Sequence, residues 1–179
     1  MFNFNFYTPT RVVFGKETEY RIGKLVKNVN CKKVLLHYGS GSVIRSGLLG
    51  RIKESLDASG VTYVELGGVV PNPRLSLVRE GIELCRKEGV DFLLAVGGGS
   101  VIDSAKAIGY GLANDGDVWD FYEHTRQASA CLPIGVVLTI AASGSEMSNS
   151  SVITNDETLE KRGYNNDISR PCLLYTSPS

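Results

Sequence analysis

The stretch Phe92-Leu-Leu-Ala-Val96, Gly97-Gly-Gly-Ser100, Val101-Ile-Asp103-Ser-Ala-Lys106-Ala-Ile decides the fold. Its five opening apolar residues read as a buried strand. The three glycines allow a tight turn and a close approach to a ligand with no Cβ in the way. Ser100 is the expected N-cap of the helix that follows. Strand, glycine turn and helix N-terminus make a site for a phosphate or pyrophosphate, because unpaired N–H groups and the helix dipole point at the turn.

Working outward, strands and helices alternate. Met1–Tyr7 and Thr10–Phe14 read as strands, paired as a hairpin, and Thr18–Val29 as a helix. Val34–Leu36 is a strand that runs into the small-residue turn His37-Tyr38-Gly39-Ser40-Gly41-Ser42, followed by a helix over Val43–Ser59. Val61–Leu66 is a strand, Gly67–Pro73 a loop, and Leu75–Glu88 a helix stopped by Gly89. After the glycine turn the helix runs from Val101 to Ala113; Ile134–Leu138 is a buried strand ending in Thr139 and Ala141–Ser145. A short strand at Val152–Thr154 precedes a charged turn, Asn155–Arg162. Repetition at roughly 30-residue spacing implies βαβ units and a parallel sheet, an α/β Rossmann-like domain. Ligands of such sheets sit beyond the carboxyl ends of the strands, where the turns at Gly39–Ser42, Gly97–Ser100 and Thr139–Ser145 gather.

Composition narrows the partners. The 179 residues carry 19 Lys+Arg against 19 Asp+Glu, with no basic stripe, which argues against nucleic acid and anionic membrane surfaces. No apolar run approaches the ~20 residues of a membrane span. Cys31, Cys85, Cys131 and Cys172 are scattered without a CxxC pair, which fits reduced thiols in a cytoplasmic protein.

The chain resembles the N-terminal half of the iron-containing alcohol dehydrogenase family, in its butanol dehydrogenase-like branch. The resemblance rests on Phe6–Gly15, Tyr38–Ser42, Gly67–Pro73, Leu94–Asp103 with Lys106, Leu138–Glu146 and Lys161–Pro171. It implies that Gly97, Gly98, Gly99 and Ser100 cradle the pyrophosphate of a nicotinamide dinucleotide. It further implies that Asp103 makes a polar contact near the nicotinamide, that Thr139 and Ser143 hold ribose and phosphates, and that Lys161 reaches a ribose. The alternatives are a carboxylate complementing the helix dipole at Asp103, hydroxyls closing the turn at Thr139 and Ser143, and a solvated lysine at Lys161.

The turn Gly39, Ser40, Gly41, Ser42 carries no carboxylate to repel a 2′-phosphate, and Arg45 follows it, so NADP(H) is favoured over NAD(H). Family members are about twice as long, with a helical C-terminal domain whose one Asp and three His hold iron or zinc. This chain has two histidines, His37 and His124, neither at a family ligand position, so no catalytic or metal-ligating residue is expected within it. Residues 1–171 are expected to form the dinucleotide-binding domain. Residues 172–179 depart from the family pattern and are expected to be a non-native tail. The resemblance implies an oxidoreductase of small aliphatic alcohols and aldehydes, inactive as this piece alone. The alternatives are a non-catalytic nucleotide-binding module and a polyol or hydroxy-acid dehydrogenase of the same fold. The N-terminal strands are free to pair in a homodimer.

Overall fold

The computed structural model describes residue 3 and residues 7–176. Six strands, β1 (Arg11–Phe14), β2 (Val34–Gly39), β3 (Tyr63–Val69), β4 (Phe92–Gly97), β5 (Ile134–Leu138) and β8 (Leu173–Thr176), form one sheet in the order β1-β8-β5-β4-β2-β3. Every pairing in it is parallel. β6 (Ser150–Thr154) and β7 (Lys161–Asn165) form a separate antiparallel hairpin. The helices are α1 (Ile22–Lys27), α2 (Ser42–Arg45), α3 (Leu48–Ala58), α4 (Leu75–Glu88), α5 (Gly99–Ala113) and α6 (Trp119–Tyr122).

The central strands are apolar on both faces because helices cover both. Alternate residues feed two cores, following the period of two along a strand. Leu35, Leu93 and Val136 pack with Val78 and Ile82 of α4 and Ile102 and Ile108 of α5. Leu36, Leu94 and Val137 pack with Ile22 and Val26 of α1 and Ile52 and Leu56 of α3. α4 shows the spacing of an amphipathic helix, with Leu75, Val78, Ile82 and Cys85 buried and Gly89 closing it at φ 68°.

The structure corrects several expectations. The helix expected over Thr18–Val29 divides into a 3-10 turn, Thr18–Arg21, and α1. The helix expected over Val43–Ser59 breaks at Gly47, whose φ of 72° lies outside the helical region. β3 continues through Gly67 and Gly68, where the sequence implies a loop, and Lys161, expected in a turn, opens β7. The expected strand at Met1–Tyr7 lies almost wholly outside the described residues. Among the described residues β1 pairs with β8, Arg11 with Leu173 and Phe14 with Thr176.

The boundary expected at Pro171 is therefore no boundary of the sheet. β8 lies between β1 and β5, and Leu173, Leu174 and Tyr175 are buried. Alone, Leu-Leu-Tyr is too short to show a period; its neighbours make it a strand. Leu174→Ala is expected to cost about 2–4 kcal/mol in a urea titration. An unchanged midpoint would mean that the stretch after Pro171 hangs outside the core.

Candidate functional site

The connections out of β2 and β4 leave in opposite directions, since β3 lies beyond β2 and β5 beyond β4. Such a switch in winding leaves a crevice at the carboxyl ends of the two strands. A groove of about 420 Å³ occupies it, lined by Gly39–Ser42 and Arg45 on one bank, Gly98–Val101 on the other, with Val69–Pro71 and Ile140 at its margins. None of these residues is acidic. The Arg45 guanidinium lies over Gly41, in the space a Cβ there would take.

The glycine turn works by its lack of side chains rather than by unusual dihedrals, since neither Gly98 nor Gly99 has positive φ. A Cβ on Gly98 would come within 2.9 Å of Ile140, and one on Gly99 would run into the Ser143 hydroxyl. The N-cap of α5 is Gly98, extended at φ −96°, ψ −165°, with no side-chain cap, so Ser100 is not the cap the sequence implied. Ser100 sits in the first turn and lines the groove. The opening N–H groups of a helix lack intrahelical acceptors and face such a groove with the positive end of the dipole.

The other expected residues divide. Thr139 is exposed and anchored by its N–H to the Gly97 carbonyl (3.1 Å); it lines a neighbouring hollow of about 870 Å³ that shares Ser42 and Ile140 with the groove. Ser143 stands over Gly99. Asp103 faces away from the groove lining: its carboxylate accepts from the Ser145 hydroxyl (2.5 Å) and the Val152 N–H (3.2 Å). Burial pushes its pKa up, against the pull of the Ser145 hydroxyl and the Lys106 ammonium. Lys161 is exposed and donates to the Asn72 side chain (2.6 Å), next to Pro71 at the groove margin.

Lys106 belongs to the same stretch of sequence as Asp103. It is wholly buried, and its ammonium donates to the carbonyls of Ser145 (2.8 Å), Ser148 (2.9 Å) and Ser150 (2.8 Å). A lysine three residues after Asp103 on the same helix face was the available signal.

His37, read as part of the turn, lies within β2 and is wholly buried. Nδ1–H donates to the Leu66 carbonyl (2.8 Å), which leaves Nε2 to accept from the Ser104 hydroxyl (2.9 Å). Burial lowers its pKa to about 4. Among the described residues no group of three or more His, Cys, Asp and Glu side chains is placed to hold a metal ion. Among them, too, no helix is long and apolar enough to cross a membrane.

The family model for "Iron-containing alcohol dehydrogenase" matches residues 9–178. The chain is 48% identical over 178 residues to the probable NADH-dependent butanol dehydrogenase 1 of Bacillus subtilis, covering 99% of this chain and 46% of that protein. It is 34% identical over 181 residues to an NADPH-dependent aldehyde reductase of Escherichia coli, covering 99% and 46%. The crystal structure of an NADH-dependent butanol dehydrogenase A from Thermotoga maritima superposes with a TM-score of 0.96 at 45% identity, over 99% of this chain and 44% of that one. The chain spans about half the length of the curated relatives it matches.

Because His37 is neutral in the fold, the unfolded chain takes up its proton first as pH falls. Stability is therefore lost between about pH 6.5 and 4, by roughly 3 kcal/mol. His37→Gln is expected to flatten that part of the stability–pH curve. An equally steep curve in the variant would assign the loss to other groups.

Proposed function

The chain belongs to the iron-containing alcohol dehydrogenase family, and from that premise we propose that it is the dinucleotide-binding part of a metal-dependent, NAD(P)H-linked alcohol dehydrogenase or aldehyde reductase of small aliphatic substrates. The observation that carries this reading is the acid-free groove at the β2/β4 switch point, with a side-chain-free turn and a helix N-terminus on one bank and Arg45 on the other. A pyrophosphate fits there for a physical reason: the opening N–H groups of α5, at Gly99 and Ser100, have no intrahelical acceptor and border the groove. Ser100 supplies a hydroxyl beside those N–H groups, and Ser143, packed over Gly99, closes that side of the cradle. Ser40 and Ser42 offer donors on the opposite bank, and Thr139 offers one in the adjoining hollow.

When bound, the nicotinamide supplies the hydride that passes to or from the substrate carbon. This chain's contribution is to bind and orient the dinucleotide. Asp103 and Lys161 act from outside the groove lining, Asp103 by bracing the segment that carries Ser143 and Ser145, Lys161 at its margin by its bond to Asn72. The described residues do not fit a catalytic metal, so no step through one is assigned to them.

The finer choice of cofactor rests on the turn, since NADH and NADPH both appear in the names of relatives. Arg45 over Gly41, with no carboxylate in the lining, favours a 2′-phosphate and hence NADPH.

Fluorescence titration of the 179-residue chain is expected to show saturable binding of NADPH and NADH, NADPH the tighter, with no aldehyde reduction. Gly99→Val drives a side chain into Ser143, the wall that closes the cradle, and should weaken both at least about tenfold. Absence of binding to the native chain would overturn the reading. Arg45→Ala should cost NADPH about tenfold and leave NADH unchanged, one charge-assisted hydrogen bond being worth about that factor. Tighter native binding of NADH, indifferent to Arg45, would overturn the choice of NADPH alone.

A further inference from the structure

Lys106 lies one turn behind the groove and contributes nothing to its lining. Burying an ammonium is costly unless every proton finds an acceptor. Here its three N–H groups go to three backbone carbonyls, those of Ser145, Ser148 and Ser150. Ser145 and Ser148 belong to the connection between β5 and β6, which has no helix or strand to order it, and Ser150 is the first residue of β6. Asp103, three residues earlier on α5, grips the same segment with the opposite chemistry, accepting from the Ser145 hydroxyl and the Val152 N–H. Ser145 donates its own N–H to the Ser143 hydroxyl (3.3 Å), and that hydroxyl stands where a side chain on Gly99 would be. A continuous path of contacts thus leads from the buried ammonium to the glycine turn.

We propose that Lys106 is a positioning residue for the dinucleotide: by drawing the carbonyls of Ser145, Ser148 and Ser150 onto α5 it fixes Ser143 against the glycine turn without touching the ligand. This rests on the nucleotide reading of the groove. No other donor replaces the ammonium in this geometry, since a neutral amine has two N–H groups for three carbonyls. The groups that face it are Asp103 on α5, Glu146 in the gripped segment, Cys131 ahead of β5 and Arg170 ahead of β8. Burial lowers the ammonium to about 8 and pushes the Cys131 thiol up to about 12, so of these two only Lys106 changes charge in mildly alkaline solution. The grip is complete well below pH 8, half lost near it and weaker above it.

The test compares the native chain with Lys106→Met, which keeps length and loses charge. Hydrogen exchange of the amides from Ser145 to Val152 should be at least tenfold faster in the variant, with β2 and β4 unchanged. NADPH should bind at least tenfold more weakly. The native dissociation constant should rise as pH passes 8, and that of Lys106→Met should not. Should the variant fail to fold, the native pH series decides: local exchange, corrected for its intrinsic rate, must accelerate above pH 8 together with the loss of affinity. Equal protection and equal affinity in Lys106→Met, or a pH-independent native chain, overturn the role of Lys106. A native chain that binds neither cofactor overturns the nucleotide reading instead, and the ligand named here with it.

Discussion

The chain leaves β2 toward one edge of the sheet and leaves β4 toward the other, and the opening between those two departures is the constraint on which the site depends. A uniformly wound sheet would lay one connection across the end of the other. Here the turn after β2 and the turn after β4 stand apart, and each is made of residues small enough to keep the space clear. α5 begins at the second turn, so its N–H groups open into the crevice. The apolar strands serve this arrangement by holding the two turns at fixed height: β2 and β4 pair in register from Val34–Phe92 to Tyr38–Val96, immediately below the groove.

α5 carries two jobs on one helix. Its first turn faces the groove, and its next turn carries Asp103 and Lys106 against the segment that leads from β5 to β6. The contrast between the two buried basic side chains shows how partners decide charge. His37 meets one carbonyl and one hydroxyl, which a neutral imidazole satisfies completely, and burial removes its proton. Lys106 meets three carbonyls, which only an ammonium satisfies. The same wholly buried setting therefore holds one group neutral and the other charged at neutral pH.

The parts of the fold that were legible in sequence are those where local pattern and tertiary setting agree. Leu93 to Val96 could be little other than a central strand, and the spacing of Leu75, Val78, Ile82 and Cys85 with Gly89 behind them marks a helix and its end. The glycine turn and the turn at Gly39–Ser42 were legible for the same reason. What escaped depends on contacts distant in sequence. β8 is a strand because β1 and β5 flank it, and Gly67 and Gly68 extend β3 although glycine weakens a strand. Ser100 has the chemistry of a cap, but the helix is capped two residues earlier, at Gly98. Asp103 and Lys161 were placed at the ligand by resemblance; their hydrogen bonds go to Ser145, Val152 and Asn72, groups that spacing alone does not bring near them.

Whether the crevice between β2 and β4 holds a dinucleotide is decided by mapping backbone amide shifts of the ¹⁵N-labelled chain on addition of NADPH. Shifts are expected to concentrate at Gly39–Ser42, Gly98–Ser100 and Ser143. The polar hollow around Asn114 and Arg126, away from these turns, should stay still. Shifts gathered at that hollow, or none at the glycine turn with ligand demonstrably bound, would contradict binding in the crevice.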